Sequence, residues 1–133
     1  MSGHNPKRHK CPTDGCWLEV VDPKKEAFDQ CYPRAITMSD VDGIVNIGWN
    51  FKFVEWKRVG QEIPDGQRIW HERITDSKPK DFVVFQVWGN PTTMKVDGYK
   101  IVRHGIVGEY IEADLDALKK RFAAWAGWAD VTR

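Results

Sequence analysis

The segment Ser39-Asp40-Val41-Asp42-Gly43-Ile44-Val45 is followed, within the length of one hairpin, by Phe53-Val54-Glu55-Trp56-Lys57. Asp42 stands at the start of one strand-like run. Glu55 and Lys57 stand two residues apart on the next, and so share a face. If the runs pair, a carboxylate from each meets an ammonium from the second. In a strand reading Phe-Lys-Phe-Val-Glu-Trp-Lys, such charges are costly to bury unless they are paired or bound to metal. Two carboxylates beside a backbone carbonyl make a hard, oxygen-rich site suited to Mg²⁺ or Mn²⁺, with waters and phosphate oxygens completing the shell. A neighbouring lysine can orient or help deprotonate one of those waters and stabilise charge on a phosphate. These are the parts of metal-assisted phosphodiester hydrolysis. The plainer alternative is a solvated hairpin edge with a Glu–Lys pair.

Other residues offer other chemistry. His9, Cys11, Cys16 and Cys31 supply three thiols and an imidazole, a set that suits structural Zn²⁺; three free, half-buried thiols are the alternative. Arg34, Lys52, Arg58 and Arg68 lie close in sequence to the acidic hairpin and are candidates for nucleic-acid backbone contacts. Lys7 to Lys10 form a basic arm. Trp49, at the hairpin tip, either stacks on a base or packs on the sheet. His71, four residues beyond Gln67, reads as a surface or hydrogen-bonded histidine.

These residues need elements to hold them. Pro23 opens a short helix through Phe28 and Gln30. Val41 to Ile47, a turn at Gly48-Trp49-Asn50, and Phe51 to Lys57 make a hairpin. Its second strand puts Phe51, Phe53, Glu55 and Lys57 on one face and Val54 and Trp56 on the other. Pro64-Asp65-Gly66 opens a helix to about Thr75. Asp81 to Trp88 is almost continuously apolar, as in a strand covered on both faces. Short strand pieces follow at Tyr99–Val102 and Ile106–Val107, split by Asp97-Gly98 and Gly105. A last helix runs from about Ala113 to Ala126, with Gly127 as its stop. The order predicts an α/β sandwich, a mixed central sheet flanked by helices.

The chain has 133 residues, 41% hydrophobic and 29% charged. That is one domain's length and an ordinary globular composition. Twenty Lys and Arg against nineteen Asp and Glu leave a net charge of +1, which excludes binding by bulk positive charge alone. No apolar run has the length of a membrane helix and the N-terminus lacks a signal-peptide core. We therefore expect an intracellular protein, with no membrane partner and with reduced cysteines.

Asp42, then thirteen residues to Glu55-Trp56-Lys57, then Gly66-Gln67-Arg68-Ile69-Trp70 on the next helix, resembles the PD-(D/E)XK nuclease superfamily. Its signature is an Asp on one strand, (Asp/Glu)-x-Lys on the next and often a Gln on the following helix. The likeness is to the VRR-NUC and archaeal-type Holliday junction resolvase branches and to small phage endonucleases, and it covers about residues 19–90. The literal Pro-Asp is absent, and Ser39-Asp40 stands two residues before Asp42. The resemblance implies a restriction-endonuclease-like domain over residues 1–133. Residues 1–18 would be an arm, 19–90 the nuclease core, and 91–133 a β extension with a C-terminal helix. It implies Asp42 and Glu55 as Mg²⁺ ligands with the Trp56 carbonyl, Lys57 as the catalytic lysine, Gln67 as support, and Glu26, with Glu19 behind it, as a further acid. Asp40 either binds a second metal or caps the turn. Asp42 lies seven residues before Trp49 and Glu55 six after it, so those two should be nearly level while Asp40 overshoots. The expected activity is Mg²⁺-dependent cleavage of DNA, structure-specific on branched DNA or tied to repair and recombination. The expected setting is a bacterial cytoplasm, with the gene phage-borne, and the expected assembly is a homodimer. The alternatives are a nucleic-acid-binding module without turnover and a zinc-containing interaction domain.

Overall fold

The computed structural model describes residues 25–34, 41–76 and 81–133. The chain divides into two compact units, Met1–Ser39 and Asp40–Arg133. The described part of the first holds a 3₁₀ helix, Lys25–Cys31, close to the helix expected after Pro23. The second contains β1 (Gly43–Ile47), β2 (Asn50–Lys57), α1 (Asp65–Thr75), β3 (Asp81–Asn90), β4 (Lys95–Arg103), β5 (Ile106–Val107), β6 (Ile111–Glu112) and α2 (Leu115–Val131).

The strands form one mixed sheet in the order β1-β2-β3-β4-β5, with β6 also pairing β4. β2 and β3 are parallel and the other pairs antiparallel. The hairpin turns on Gly48-Trp49, two residues, and Gly48 has φ +62°. Glycine first in a two-residue turn suits the right-handed twist of paired strands. Asn50 therefore opens β2 rather than belonging to the turn. Its buried Nδ2 donates to the Ala129 carbonyl (3.1 Å), which ties the turn to the end of α2.

Strand parity decides the two layers. Phe51, Phe53, Glu55 and Lys57 face α1: Phe53 meets Trp70 edge-on and Gln67 reaches Glu55. Asn50, Lys52, Val54 and Trp56 face α2. On that side Val83, Phe85, Val87, Tyr99, Leu118, Trp125 and Ala129 form the buried core. β3 is covered on both faces, as its composition predicts, and the α/β sandwich is the observed fold.

Beside Asn50, two further expectations are corrected. Asp97-Gly98 does not split the third strand region; β4 runs through it. Gly98 sits there because a Cβ would run into the Tyr110 ring and the Ile111 carbonyl, a close approach only glycine allows. β6, at Ile111–Glu112, is too short to show in the pattern. Gly127 does not stop the last helix, which continues to Val131; glycine's modest helix penalty is overridden by Ala129 packing in the core.

Lys52 is the fourth correction. It lies on the face opposite Glu55, with 5% exposure, and its Nζ is 3.3 Å from the centre of the Phe122 ring. It is no candidate for a phosphate contact at the acidic hairpin. Burial pushes the ammonium from 10.5 down to about 8. Holding it charged at neutral pH opposes folding by on the order of 3 kcal/mol, and the ring contact returns up to about 2 kcal/mol. The folded pKa is depressed, so the unfolded chain binds the extra proton between about pH 8 and 10.5 and stability rises with pH across that window. Lys52→Met should stabilise the protein by ~1 kcal/mol at pH 7, and denaturant titrations should show the gain shrinking as the pH approaches 10.5.

Candidate metal centre

β1 and β2 pair with Gly43 opposite Val54. One step further along that register sets Asp42 opposite Glu55; the spacing around Trp49 makes them nearly level, and the two-residue turn brings them directly opposite. The two-residue turn fixes this register; a three-residue turn would slip it and turn one carboxylate to the other face. Asp42 lies just before the first residue of β1. Its Oδ2 accepts a 2.7 Å hydrogen bond from the Trp56 backbone N–H, so the carboxylate takes the place a further strand residue would fill. In a strand the N–H and C=O of one residue face the same neighbour. The Trp56 carbonyl therefore faces the same edge as Asp42.

Glu55 is buried, with 6% exposure. Lys57 Nζ stands 3.6 Å from its Oε2. Gln67, on the first turns of α1, donates from Nε2 to the same oxygen at 3.3 Å. Burial raises the Glu55 pKa first, and the Asp42 charge raises it further. Lys57 and the hydrogen bond from Gln67 pull the other way without cancelling the rise. By formal charge, two carboxylates face one ammonium, a net negative charge that a divalent cation would offset. Gln67 Oε1 is buried without a partner. Asp42, Glu55 and the Trp56 carbonyl are a donor set that fits a hard cation.

A second polar layer lies behind the first. Gln86 on β3 is level with Glu55, and its Nε2 is 2.9 Å from His71 Nδ1. Both are fully buried. His71 is hydrogen-bonded as expected but is not a surface residue. Burial, and then the Lys57 charge, lower its pKa to about 4, so it is neutral at pH 7. Gln86 was absent from the sequence candidates. Its one signal is parity: an amide at an even position of β3 faces α1, opposite the apolar odd positions.

The remaining predicted residues are placed as follows. Arg68 pairs with Glu72 at 3.0 Å and Asp65 at 3.7 Å along α1. Arg58 is exposed just past Lys57. Trp49 is 67% exposed at the far end of the hairpin, six residues and about 20 Å from Glu55; it does not join the centre. Glu26, Cys31 and Arg34 belong to the first unit, where Glu26 and Cys31 are exposed. Asp40, His9, Cys11 and Cys16 lie outside the described residues. Among the described residues no three His, Cys, Asp or Glu side chains gather as a metal cluster, so the acidic centre offers two carboxylates and not three. No helix among them is long and apolar enough to cross a membrane.

Comparison of the chain with protein-family models, with curated proteins and with solved structures gives no match.

The charge balance makes a test that needs no substrate. The folded pKa of Glu55 lies above its unfolded value, so its contribution to stability is fullest at low pH and is lost as pH rises through the folded pKa. Glu55→Gln should therefore raise Tm at pH 7 in EDTA. Mg²⁺ should stabilise the wild type, by about 2.7 kcal/mol at a hundred times its Kd, and leave Glu55→Gln unmoved. Asp42→Asn should lower the Glu55 pKa in a carboxyl NMR titration, since it removes a charge that raises it.

Proposed function

We propose that this protein is a Mg²⁺-dependent endonuclease that hydrolyses phosphodiester bonds in DNA, of the PD-(D/E)XK kind and acting on branched or repair-related substrates. The observation that supports it is the level pairing of Asp42 with Glu55, with Lys57 on the Glu55 face and Gln67 holding the carboxylate. A plain hairpin edge would leave Glu55 and Lys57 in solvent. Here the carboxylate is buried and the ammonium is mostly so.

Each side chain then has a task. Asp42 and Glu55 hold the ion, with the Trp56 carbonyl as a neutral third donor. The bound Mg²⁺ supplies Lewis acidity toward the phosphate and the attacking water. The backbone N–H of Trp56 fixes Asp42, and Gln67 fixes Glu55, so neither carboxylate must be ordered when the ion arrives. Lys57 keeps its ammonium next to the carboxylates. From there it orients the water and offsets negative charge as it grows on the phosphate oxygens. His71, held neutral behind Lys57, adds no competing positive charge.

Lys57→Ala should preserve the fold and Mg²⁺ binding while slowing cleavage of branched or plasmid DNA by ~10²-fold or more. Asp42→Asn should abolish cleavage and weaken Mg²⁺ binding, whereas Asp40→Asn should retain substantial activity. A wild-type protein that binds DNA and Mg²⁺ but cuts none of linear, nicked, branched or single-stranded DNA would instead be a binding module without turnover.

A further inference from the structure

Beyond Lys57 the chain makes a tight turn in which Arg58 N donates to Gln61 Oε1 and Gln61 N donates to the Arg58 carbonyl, both at 3.0 Å. The neighbouring parallel strand, β3, ends beside it. Trp88 is level with Lys57, and the register of β3 against β4 shifts between Trp88 and Gly89. Such bulges often lie next to functional sites because they redirect the chain. Between these two strand ends is a cleft of about 350 Å³ lined by Arg58, Val59, Gly89, Asn90, Pro91 and Thr92. It opens at the carboxyl ends of paired parallel strands, where open α/β sheets generally receive ligands.

The lining fixes the sign of what it can hold. None of the six residues is acidic. The Asn90 side-chain oxygen is already used, accepting from the Thr92 and Thr93 backbone N–H groups at 2.9 and 3.2 Å. What the side chain has left is its NH₂, a donor. The Arg58 guanidinium has no ion-pair partner among the described residues, and the Thr92 hydroxyl is an exposed donor. The wall is also rigid. Trp56 Nε1 donates to the Gly89 carbonyl at 3.0 Å, and a Cβ at Gly89 would stand 2.6 Å from the Lys95 carbonyl oxygen. A cleft lined by three residues with side-chain donors, Arg58, Asn90 and Thr92, and by no acid matches the chemistry of a phosphate group.

We infer that this cleft binds a non-scissile phosphodiester of the nucleic-acid strand being cut, with Arg58 as its principal donor and Asn90 and Thr92 as its partners. Naming the ligand as a strand rests on the nuclease reading above. Arg58 is three residues beyond Glu55, about 10 Å along β2, so one strand can reach both places within a few nucleotides. The cleft acts as a positioning subsite: it sets which phosphate lies over Asp42 and Glu55.

The test is a titration of the full chain, in EDTA, followed by backbone amide shifts. The probes are a 5′-phosphorylated tetranucleotide and, separately, inorganic phosphate. Saturable shifts at Gly89, Asn90 and Thr92 are expected, tighter for the tetranucleotide. Arg58→Ala should weaken its binding by about tenfold or more, Arg58→Lys should recover part of that, and Lys57→Ala should leave the three amide responses in place. Binding at these amides in a protein that cuts no DNA would count against the nuclease reading and leave the cleft standing. An absence of saturable shifts at these amides overturns the inference, as does an equal response in Arg58→Ala. Binding of inorganic phosphate without the tetranucleotide removes the strand as its occupant.

Discussion

Parallel strands cannot be joined by a tight turn, so the pairing of β2 with β3 requires a crossover, and α1 is that crossover. Its consequences reach every functional residue. The register sets Glu55 beside Gln86 and Lys57 beside Trp88. The returning helix covers the face that carries them, and Gln67 and His71, four residues apart, point into it from one side of α1. Without the crossover, Glu55 would lie on an open hairpin with an ordinary carboxylate's affinity for protons. With it, the carboxylate loses most of its water while keeping one amide and one ammonium as company.

The face under α1 is accordingly two different environments along one strand pair. Toward the start of β2 it is aromatic: Phe51 and Phe82 stack at 4.9 Å and Phe53 meets Phe82 at 6.0 Å. Toward the end it is polar: Glu55, Lys57, Gln67, His71 and Gln86. The three phenylalanines supply burial energy without polar obligations, while Trp70 against Phe53 leaves its Nε1 buried without a partner. The polar half opposes folding where its groups stay unpaired, as Gln67 Oε1 and His71 Nε2 do. Segregating the two lets the apolar half hold α1 down while the other half keeps polar atoms under-satisfied beside the carboxylates. The opposite face shows the reverse, with Lys52 set among the Phe85, Phe122 and Trp125 rings.

Much of the second unit was legible because its signals are local. Alternation along Phe51 to Lys57 fixed the two faces, a turn at Gly48-Trp49-Asn50 located the hairpin one residue too wide, and counting residues from Trp49 brought Asp42 nearly level with Glu55. What escaped depends on distant partners. Lys52 looks like a surface cation in sequence, and only the return of α2 over that face buries it against Phe122. Gly98 and Gly127 read as breaks, yet the first answers the approach of Tyr110 and the second is outweighed by a helix that the core holds at Ala129. Gln86 was hidden in an apolar run because its importance comes from the neighbour that parallel pairing brings beside it. Its bond to His71 cannot be foreseen until α1 is laid across the strands.

The edge of the sheet shows why the centre sits where it does. β1 begins to pair with β2 only at Gly43, opposite Val54, while β2 continues to Lys57. The unpaired stretch of β2 exposes backbone groups that a strand partner would otherwise occupy. Asp42 takes one of them, the Trp56 N–H, and in doing so fixes its own carboxylate at the height of Glu55. The carbonyl of the same residue remains on that edge as an acceptor. A late start to β1 thus does two things with one structural choice: it frees a neutral oxygen donor and anchors a charged one next to it. A longer β1 would satisfy both backbone groups with ordinary ladder bonds. The sheet would gain a rung, and the place where two carboxylates and a carbonyl come together would be lost.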